Sequence, residues 1–296
     1  MIGETLALSA ALCYAVAAVL YKKALGNISY LSMNLVRTVF ATLLLLATLP
    51  ATQYHSSTIT FNQLALIVIG SVFGLVIGDT LYYVGLKKIG ISRAQPISSS
   101  YPLYSMFLAA VILNERLTLP VAAGTPLVVV GIALISLNRN EKNDATLNSG
   151  ATKLGVTSSI IAPVFWSIGL ALIKMALNYP SIDPIFAAFI SRMTALPFLL
   201  FAVIAAGELN QIGKLTRVDV TIPAVGGMLE IGLGAILLFS SLALIDASRA
   251  IPLSSTYPLF SLVLASIYSG EKVGAKNVVG TMLIVAGIIL VTFLAQ

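Results

Sequence analysis

The sequence has very few of the residues that disulfides, metal centres and catalytic groups require. Its 296 residues include a single cysteine, Cys13, and a single histidine, His55. An intrachain disulfide, a zinc cluster and a redox pair of thiols are therefore excluded. The chain also lacks the nucleophile and paired-aspartate motifs of membrane enzymes and the G-x-x-x-x-G-K-[ST] loop of ATP hydrolysis. We expect no cofactor, no metal and no enzymatic activity.

Charged residues are scarce as well. They make up 9% of the chain, against about 25% in an ordinary soluble domain. Hydrophobic residues make up 58%, and the mean hydropathy is +0.99. These values indicate an integral membrane protein. The basic residues stand singly or in pairs at the ends of apolar stretches, which is typical of contact with the lipid bilayer, so we expect no nucleic-acid partner.

Apolar segments of about 20 residues, the length that crosses a bilayer as a helix, occur ten times. They cover Gly3–Leu25, Leu31–Pro50, Gln63–Leu86, Ala94–Leu113, Leu119–Asn138, Leu154–Leu177, Ile182–Ala206, Val220–Ile245, Ala250–Ser269 and Gly274–Ala295. The sequence therefore predicts an all-α integral membrane protein with ten transmembrane helices.

One long motif occurs twice in the chain. S-R-A-Q-P-I-S-S-S-Y-P-L-Y-S begins at Ser92, and S-R-A-I-P-L-S-S-T-Y-P-L-F-S begins 156 residues later at Ser248. A glutamate follows each copy, Glu115 in the first and Glu271 in the second. Repetition at a fixed offset indicates a duplicated unit. We divide the chain into a first five-helix repeat at 1–138, a linker at 139–153 and a second five-helix repeat at 154–296.

An odd number of spans in each half places the second repeat upside down relative to the first. The distribution of lysine and arginine agrees with this inverted arrangement. Most basic residues fall on one side of the membrane: Lys22, Lys23, Lys87, Lys88, Arg93, Arg139, Lys142, Lys153, Lys214, Arg217, Lys272 and Lys276. Three fall on the other: Arg116, Lys174 and Arg249. Because cytoplasmic loops carry the excess of basic residues, we expect both termini to be extracytoplasmic. We expect the protein to lie in the plasma membrane of the cell.

The repeated motif contains a proline within an apolar helix of each half, Pro102 and Pro258. Proline removes a backbone N–H and crowds the carbonyl four residues earlier, and such breaks are tolerated in lipid only where other polar groups take up the freed bond. The hydroxyls that accompany the prolines are Ser98, Ser99, Tyr101, Ser254, Ser255 and Tyr257. Paired helix breaks indicate the central site of a carrier; the alternative is a kink whose hydroxyls bond back to the backbone.

Four charged residues lie within the apolar segments. Asp79 and Glu230 are carboxylates at membrane depth, Arg37 is expected at the depth of Asp79, and Arg192 within reach of Glu230. Charges in the membrane are costly and are usually functional. The sequence leaves two roles open for these pairs, proton coupling and the formation of structural salt bridges. Two further pairs, Arg93 with Glu271 and Arg249 with Glu115, are candidate latches of an inner and an outer gate, or simply interfacial charges.

The duplicated S-R-A-x-P-x-S-S-x-Y-P-L-x-S motif, with its following glutamate, resembles that of the EamA-like permeases of the drug/metabolite transporter superfamily. The resemblance covers essentially the whole chain. It implies a basket of two inverted repeats around a central cavity, and family members move amino acids, other small metabolites or toxic compounds. It further implies that certain aromatic residues line the cavity, with packing against protein or lipid as the alternative: Tyr14, Tyr82, Tyr83, Tyr101, Trp166, Phe239 and Tyr257.

These observations favour a secondary active transporter, a permease or exporter that moves a small organic metabolite such as an amino acid by alternating access. An uncoupled facilitator, a channel for small solutes and a nucleotide-sugar-type exchanger are the alternatives. Scattered single carboxylates do not form the ring of charge that is typical of a channel. The sequence leaves open whether protons are coupled to transport and whether the chain forms a homodimer.

Overall fold

The computed structural model describes residues 1–24, 28–51, 59–137, 149–179, 182–213, 215–269 and 274–294. Within these ranges the chain is helical and contains no β-strand, which confirms the all-α prediction. The prediction of a linker at 139–153 falls mostly outside the described residues.

The first half contains continuous helices and one helix that is divided into two parts. They are α1 (Ile2–Ala24), α2 (Tyr30–Thr48, followed by a 3₁₀ turn at Leu49–Ala51), α3 (Phe61–Ile89), α4a (Ile91–Ser98), α4b (Tyr101–Ile112) and α5 (Leu119–Leu137).

The second half follows the same order of elements. Its helices are α6 (Ser149–Leu177), α7 (Pro184–Ala205), a single turn at Leu209–Ile212, α8 (Arg217–Leu244), α9a (Ala247–Ser254), α9b (Tyr257–Ser269) and α10 (Ala275–Ile289, continued as a π-helix over Leu290–Leu294).

Seven helical stretches in the described part of the chain are long and apolar enough to cross a membrane. They are Ile2–Tyr21, Tyr30–Ala51, Phe61–Ile89, Lys153–Leu177, Pro184–Ala205, Arg217–Leu244 and Ala275–Phe293, with Leu119–Ile135 as a shorter apolar stretch. The molecule is therefore a multi-pass helical membrane protein. The two further spans that we predicted coincide with α4 and α9, each of which is divided into two shorter helices.

α3 and α8 begin with the same capping motif, at positions 156 residues apart. Thr60 and Gln63 form a capping box at the start of α3, and Thr216 and Asp219 form one at the start of α8. In a capping box, side chain and backbone of the first turn satisfy each other's otherwise unpaired N–H groups. Each cap thus fixes the residue at which its long helix begins.

Both long helices also contain a π-helical stretch at aligned positions, Val72–Gly78 in α3 and Met228–Leu233 in α8. A π-turn places one additional residue in the helix and therefore rotates the side chains that follow it. Asp79 comes directly after the first stretch, and Glu230 lies within the second. The π-stretches thus orient the two carboxylates within the membrane-spanning helices.

Helices of the two halves pack against each other in matched pairs. α3 packs on α6 as α8 packs on α1, while α2 pairs with α7 and α5 with α10. Small residues permit the closest of these approaches, as is common between membrane helices. A Cβ added to Gly70 of α3 would lie 2.8 Å from the carbonyl oxygen of Gly169 of α6. The core accordingly lies between the halves, and a site there receives residues from both.

The helix breaks that we expected in α4 and α9 are present, but the prolines lie after them rather than inside a helix. The chain leaves the helix at Ser99–Ser100 and at Ser255–Thr256. Pro102 and Pro258 are the second residues of the helices that follow. At that position the missing N–H has no intrahelical partner to lose. The prolines inside helices are instead Pro96 in α4a and Pro252 in α9a, so our placement of Pro102 and Pro258 in helix interiors was wrong.

Candidate functional site

Arg37 of α2 is buried in the interior of the protein and binds a carboxylate from each half. Its Nη2 donates to Oδ2 of Asp79 on α3, and its Nη1 lies 2.8 Å from Oε2 of Glu230 on α8. The arginine side chain is 6% exposed. The three charged side chains therefore form one buried ionic cluster, which we call the Arg37 cluster. The expected proximity of Arg37 and Asp79 is present in the structure.

Further contacts fix the guanidinium in place. Its Nε donates to Oδ1 of Asn34, one turn earlier on α2, at 2.8 Å. The guanidinium carbon also lies 5.6 Å from the ring centre of Tyr83 and 6.0 Å from that of Tyr21, within the range of a cation–π interaction. Arg37 thus has an acceptor or an aromatic face on several sides, and its orientation is determined by residues of α1, α2 and α3.

Asp79 has partners for both of its carboxylate oxygens. Oδ2 accepts from Arg37, and Oδ1 accepts from the indole Nε1 of Trp166 on α6 at 2.8 Å. The indole also packs closely on the backbone of α3, since a Cβ added to Gly78 would lie 2.5 Å from its Cδ1. Asp79 is therefore held by one residue of each half.

Removal of Arg37 would leave the two carboxylates of the cluster without their shared partner. Loss of one partner of a buried ion pair usually costs about 3–5 kcal/mol, because the remaining charge has been removed from water. The cluster combines one guanidinium with two carboxylates. Taken by themselves, its three groups have an excess of negative charge.

Arg192 of α7 forms no salt bridge with Glu230, although we expected it to lie within reach of that residue. Its Nε donates to the carbonyl of Ile231 at 2.9 Å and its Nη1 to Oγ of Ser191 at 3.1 Å. Its guanidinium carbon lies 5.0 Å from the ring centre of Phe239. Glu230 is turned toward Arg37 of α2 because it lies within the π-stretch of α8. Arg192 nonetheless lies close enough to Asp79 and Glu230 to interact with both electrostatically.

Aromatic side chains of both halves surround the Arg37 cluster. The ring centre of Trp166 lies 5.2 Å from that of Tyr82 and 6.0 Å from that of Tyr101. Tyr14 and Tyr257 meet edge to face, with ring centres 6.4 Å apart. These five rings are partly buried. The structure therefore brings together five of the seven aromatic residues that the resemblance singled out.

The other two aromatic candidates have packing contacts. Tyr83 is 6% exposed and stacks on Tyr30 with ring centres 5.8 Å apart. Phe239 is 1% exposed and lies beneath the guanidinium of Arg192. Both rings therefore orient the two arginines rather than offering a free face.

Gln95 of α4a links the aromatic residues of the two halves, and our sequence analysis missed it. Its Oε1 accepts from the hydroxyl of Tyr82, and its Nε2 donates to the hydroxyl of Tyr257. A signal was available in the repeated motif, because the residue aligned with Gln95 is the apolar Ile251. Polar side chains in a membrane helix are costly, so a glutamine where the other copy has isoleucine points to a specific partner.

The serines of the two helix breaks lie where their hydroxyls reach nearby backbone. Ser99 Oγ donates to the carbonyl of Gln95 at 2.7 Å, and Ser254 and Ser255 both donate to that of Ile251. Ser98 instead donates to the carbonyl of Ser159 on α6 at 3.1 Å. These bonds correspond to the alternative that the sequence left open, in which hydroxyls stabilise the kink. Their role as substrate ligands stays a prediction.

The two helix breaks also meet each other. The hydroxyl of Tyr101, which follows the first break, is within hydrogen-bonding reach of the side chains of Ser254 and Ser255 at the second. The backbone carbonyl of Tyr101 in turn accepts from Ser167 of α6 at 3.0 Å. Both breaks thus lie at one place in the interior, beside the aromatic residues.

The gate pair that we expected between Arg249 and Glu115 is not formed. Arg249 donates to Oε1 of Glu4 on α1 at 2.5 Å. Glu115 instead accepts from the backbone N–H groups of Ala247 and Ser248. A carboxylate at the start of a helix satisfies unpaired N–H groups and is favoured by the helix dipole, which explains why Glu115 binds backbone rather than arginine. The other expected pair involves Glu271, which lies outside the described residues, so the pairing of Arg93 with it stays a prediction.

Lys174 of α6 contributes to the same end of the molecule. Its Nζ donates to the carbonyls of Leu242 at 2.6 Å and Ile245 at 3.0 Å. These carbonyls belong to the last turn of α8, where a cation is favourable. Ser241 of that turn also donates to the carbonyl of Gly3 on α1 at 2.8 Å. The end of the protein that holds the N-terminus is therefore joined by polar contacts among α1, α4, α6, α8 and α9.

Comparison with known proteins adds the family context. The model of the EamA-like transporter family matches residues 1–137 and 153–293. An uncharacterized transporter of Archaeoglobus fulgidus is 26% identical over 98% of both chains. A probable amino-acid metabolite efflux pump of Salmonella typhimurium is 22% identical over 81% of this chain and 75% of its own. A protein crystal structure matches with a TM-score of 0.79 at 15% identity, covering 99% of this chain and 97% of the other, which establishes similarity of fold alone.

Proposed function

The chain belongs to the EamA-like transporter family, and from this premise we propose that it is a secondary active transporter working by alternating access. Its solute is a small organic metabolite such as an amino acid. One observation carries the proposal: a single buried arginine, Arg37, binds one carboxylate from each half of the chain. A group that both halves share in the interior is where a carrier exposes its solute alternately to the two sides.

Several repeated features support ten spans arranged as two inverted five-helix repeats, 1–138 and 154–296. The capping boxes of α3 and α8, their π-stretches and the breaks in α4 and α9 recur at aligned positions. The helix contacts also recur in exchanged form, with α3 on α6 matched by α8 on α1. In this arrangement the repeats rock against each other around a central chamber, as inverted-repeat carriers do.

The proposed solute site lies among the aromatic residues next to the Arg37 cluster. Rings supply apolar surface, and hydroxyl and amide groups supply orientation, which is the usual composition of a small-molecule site. In addition to Gln95, the proposed site includes the residues that the sequence singled out: Tyr14, Tyr82, Ser98, Ser99, Tyr101, Trp166, Ser254, Ser255 and Tyr257, with Tyr83 and Phe239 packed behind them against Arg37 and Arg192. An amino acid as solute is supported by the printed name of the Salmonella relative.

The gate at the end that holds the N-terminus is proposed to be the contact of Glu4 with Arg249, together with the cap that Glu115 forms on α9a. These contacts join the two halves and must break if that end is to open. Arg93 and Glu271 are proposed for the opposite end.

We propose that the protein lies in the plasma membrane with both termini extracytoplasmic. The support is the excess of lysine and arginine on the other side, since the bias of basic residues sets the orientation of membrane proteins. Coupling to protons is proposed through the carboxylates of the Arg37 cluster.

The test is transport by the full-length protein in proteoliposomes. Candidate solutes are first found by thermal-shift screening of amino acids, nucleosides and other metabolites, because a solute that binds the folded state raises its stability. A carrier gives saturable uptake that is accelerated by unlabelled solute inside the vesicle. Uptake that rises linearly with solute concentration and ignores solute inside would contradict the proposal and indicate a channel. Saturable uptake that an imposed pH gradient leaves unchanged would contradict proton coupling alone.

A further inference from the structure

The two carboxylates that bind Arg37 have different surroundings. Asp79 has a partner for each oxygen, Arg37 for one and Trp166 for the other, and its side chain is 11% exposed. Glu230 uses Oε2 to bind Arg37, and its side chain is 28% exposed. Among the described residues its Oε1 accepts no hydrogen bond that meets the usual geometric limits, although the buried hydroxyl of Tyr21 lies close to the carboxylate. Each oxygen of Asp79 therefore has a hydrogen-bond partner, whereas Oε1 of Glu230 is available to a further donor.

The available surface of Glu230 faces the inside of the protein. Gly226 and Gly234, one turn before and after it on α8, pack against the rings of Tyr21 and Tyr14 on α1. Glu230 lies between these contacts, and its partner Arg37 lies on α2. Two helices of the other half thus border its side chain, which rules out an outward orientation toward lipid.

The residue aligned with Glu230 in the first half indicates open space. It is Gly74, in the π-stretch of α3, and a Cβ added there would meet no heavy atom of the described residues within 4 Å. By contrast, a Cβ added to the neighbouring Gly70 or Gly78 would lie within 2.8 Å of another residue. The structure therefore has open space beside the π-stretch of α3. In the π-stretch of α8 it has a carboxylate with only one oxygen in a hydrogen bond.

The charges of the cluster favour a cationic ligand at Glu230. Two carboxylates share the single guanidinium of Arg37. Arg192 interacts electrostatically with both carboxylates, but it donates to the carbonyl of Ile231 and to Ser191 and forms no salt bridge with a carboxylate in the described part of the chain. Charge-assisted hydrogen bonds are about twice as strong as neutral ones, and a primary ammonium offers three donors.

We propose that Glu230 binds the ammonium group of the transported solute and that Asp79 is a positioning residue that holds Arg37. This inference rests on the proposed transport function and names the chemical class of its solute, an amine. Tyr14, whose ring packs against Gly234 one turn after Glu230, then lies where the apolar part of the amine would extend. The solute must also be small, because the site lies between helices that are in contact.

The test uses three probes that share one carbon skeleton and the purified full-length protein. L-leucine carries both charged groups, isoamylamine lacks the carboxylate, and isocaproate lacks the amino group. We expect leucine and isoamylamine, at millimolar concentration, to raise the melting temperature and isocaproate to leave it unchanged. Glu230→Gln should weaken the binding of both amines by about tenfold or more, which is the usual loss of affinity when a hydrogen bond to a charged group is removed. Glu230→Asp, which keeps the charge, should restore part of the effect.

A matched control separates this role from general destabilisation. Glu208 is also partly buried, and its Oε2 accepts from the hydroxyls of Ser29 and Ser32. Glu208→Gln should leave the response to both amines unchanged.

Three results would overturn the inference: stabilisation by isocaproate equal to that by the amines, an undiminished amine response in Glu230→Gln, or no response of the wild type to either amine. Saturable counterflow of a solute without an amino group would overturn it while the transport function stands. Amine binding without counterflow would contradict the transport function instead.

Discussion

Glu115 caps the helix that begins at Ala247, 132 residues further along the chain. Its Oε1 lies 2.8 Å from the backbone nitrogen of Ala247, and its Oε2 lies 2.9 Å from that of Ser248. Glu115 follows α4b of the first half, while α9a belongs to the second. One carboxylate therefore satisfies the first N–H groups of a helix in the other half and holds that end of the molecule together.

Glu115→Ala should weaken this contact without disturbing the interior. Loss of a helix cap costs about 1 kcal/mol, so we expect the melting temperature to fall by a few degrees. The matched control is Arg116→Ala, because Arg116 is adjacent and exposed. Equal melting temperatures for wild type and Glu115→Ala would show that the cap does not contribute to stability.

Asp79→Asn should destabilise the protein. Arg37 stays paired with Glu230, but the amide nitrogen of the asparagine cannot accept a hydrogen bond, so one of the bonds from Arg37 and Trp166 is lost; a hydrogen bond to a charged group is worth about 1.5–3 kcal/mol. Thermal unfolding in detergent measures the effect. Asp246→Asn is the control, since Asp246 is exposed and its side chain forms no cap hydrogen bond. A loss no larger than that of the control would mean that the ion pair is not formed in the folded protein.

Gly131→Ala should separate α5 from α10. The added Cβ would lie 2.5 Å from the carbonyl oxygen of Gly280 and 2.8 Å from Cγ1 of Ile284. Overpacking of this kind costs about 1–3 kcal/mol. Gly74→Ala is the control, because its Cβ meets no described atom within 4 Å; its melting temperature should stay close to that of the wild type. If both alanine variants melted at the same temperature, the close packing of α5 on α10 would be refuted.

Gln95→Ile should change the affinity for solute, because it removes the link between Tyr82 and Tyr257. Isoleucine is the residue that the second copy of the motif has at this position, as Ile251. Each lost hydrogen bond is worth about 1 kcal/mol, so we expect the KM of counterflow to change several-fold. Adding Tyr82→Phe to Gln95→Ile should have little further effect, since residues of one network are not additive. Full additivity would show that the link is absent during transport.

The duplication, the all-helical fold and the family could be predicted from sequence because they depend on long patterns of apolar residues and on a motif of fourteen positions. The contact of Arg37 with Asp79 could be predicted too, since depth in the membrane follows from position along a helix. The partner of Glu230 could not be predicted. The direction of the Glu230 side chain depends on a π-stretch, because one additional residue in a helical turn rotates a side chain toward a different neighbour.

The polar contacts at the helix ends could not be predicted from the sequence either. Arg249 and Glu115 were expected to pair because they have opposite charges and lie on the same side. In the structure the N–H groups at the start of α9a compete for Glu115, and Glu4 is available to Arg249. Sequence identifies charged side chains, but the unpaired backbone groups that compete for them become evident only when the helix ends are known.

We propose that the two halves cross the membrane in opposite directions and share one chamber. The most direct measurement is labelling of single introduced cysteines with a membrane-impermeant maleimide, in a Cys13→Ser background that has no other cysteine. Lys87→Cys, near the end of α3, and Asp246→Cys, just after the end of α8, occupy corresponding ends of the two repeats. We expect the two cysteines to be labelled from opposite faces of the membrane. Labelling of both from the same face would contradict the inverted arrangement and the transport mechanism that depends on it.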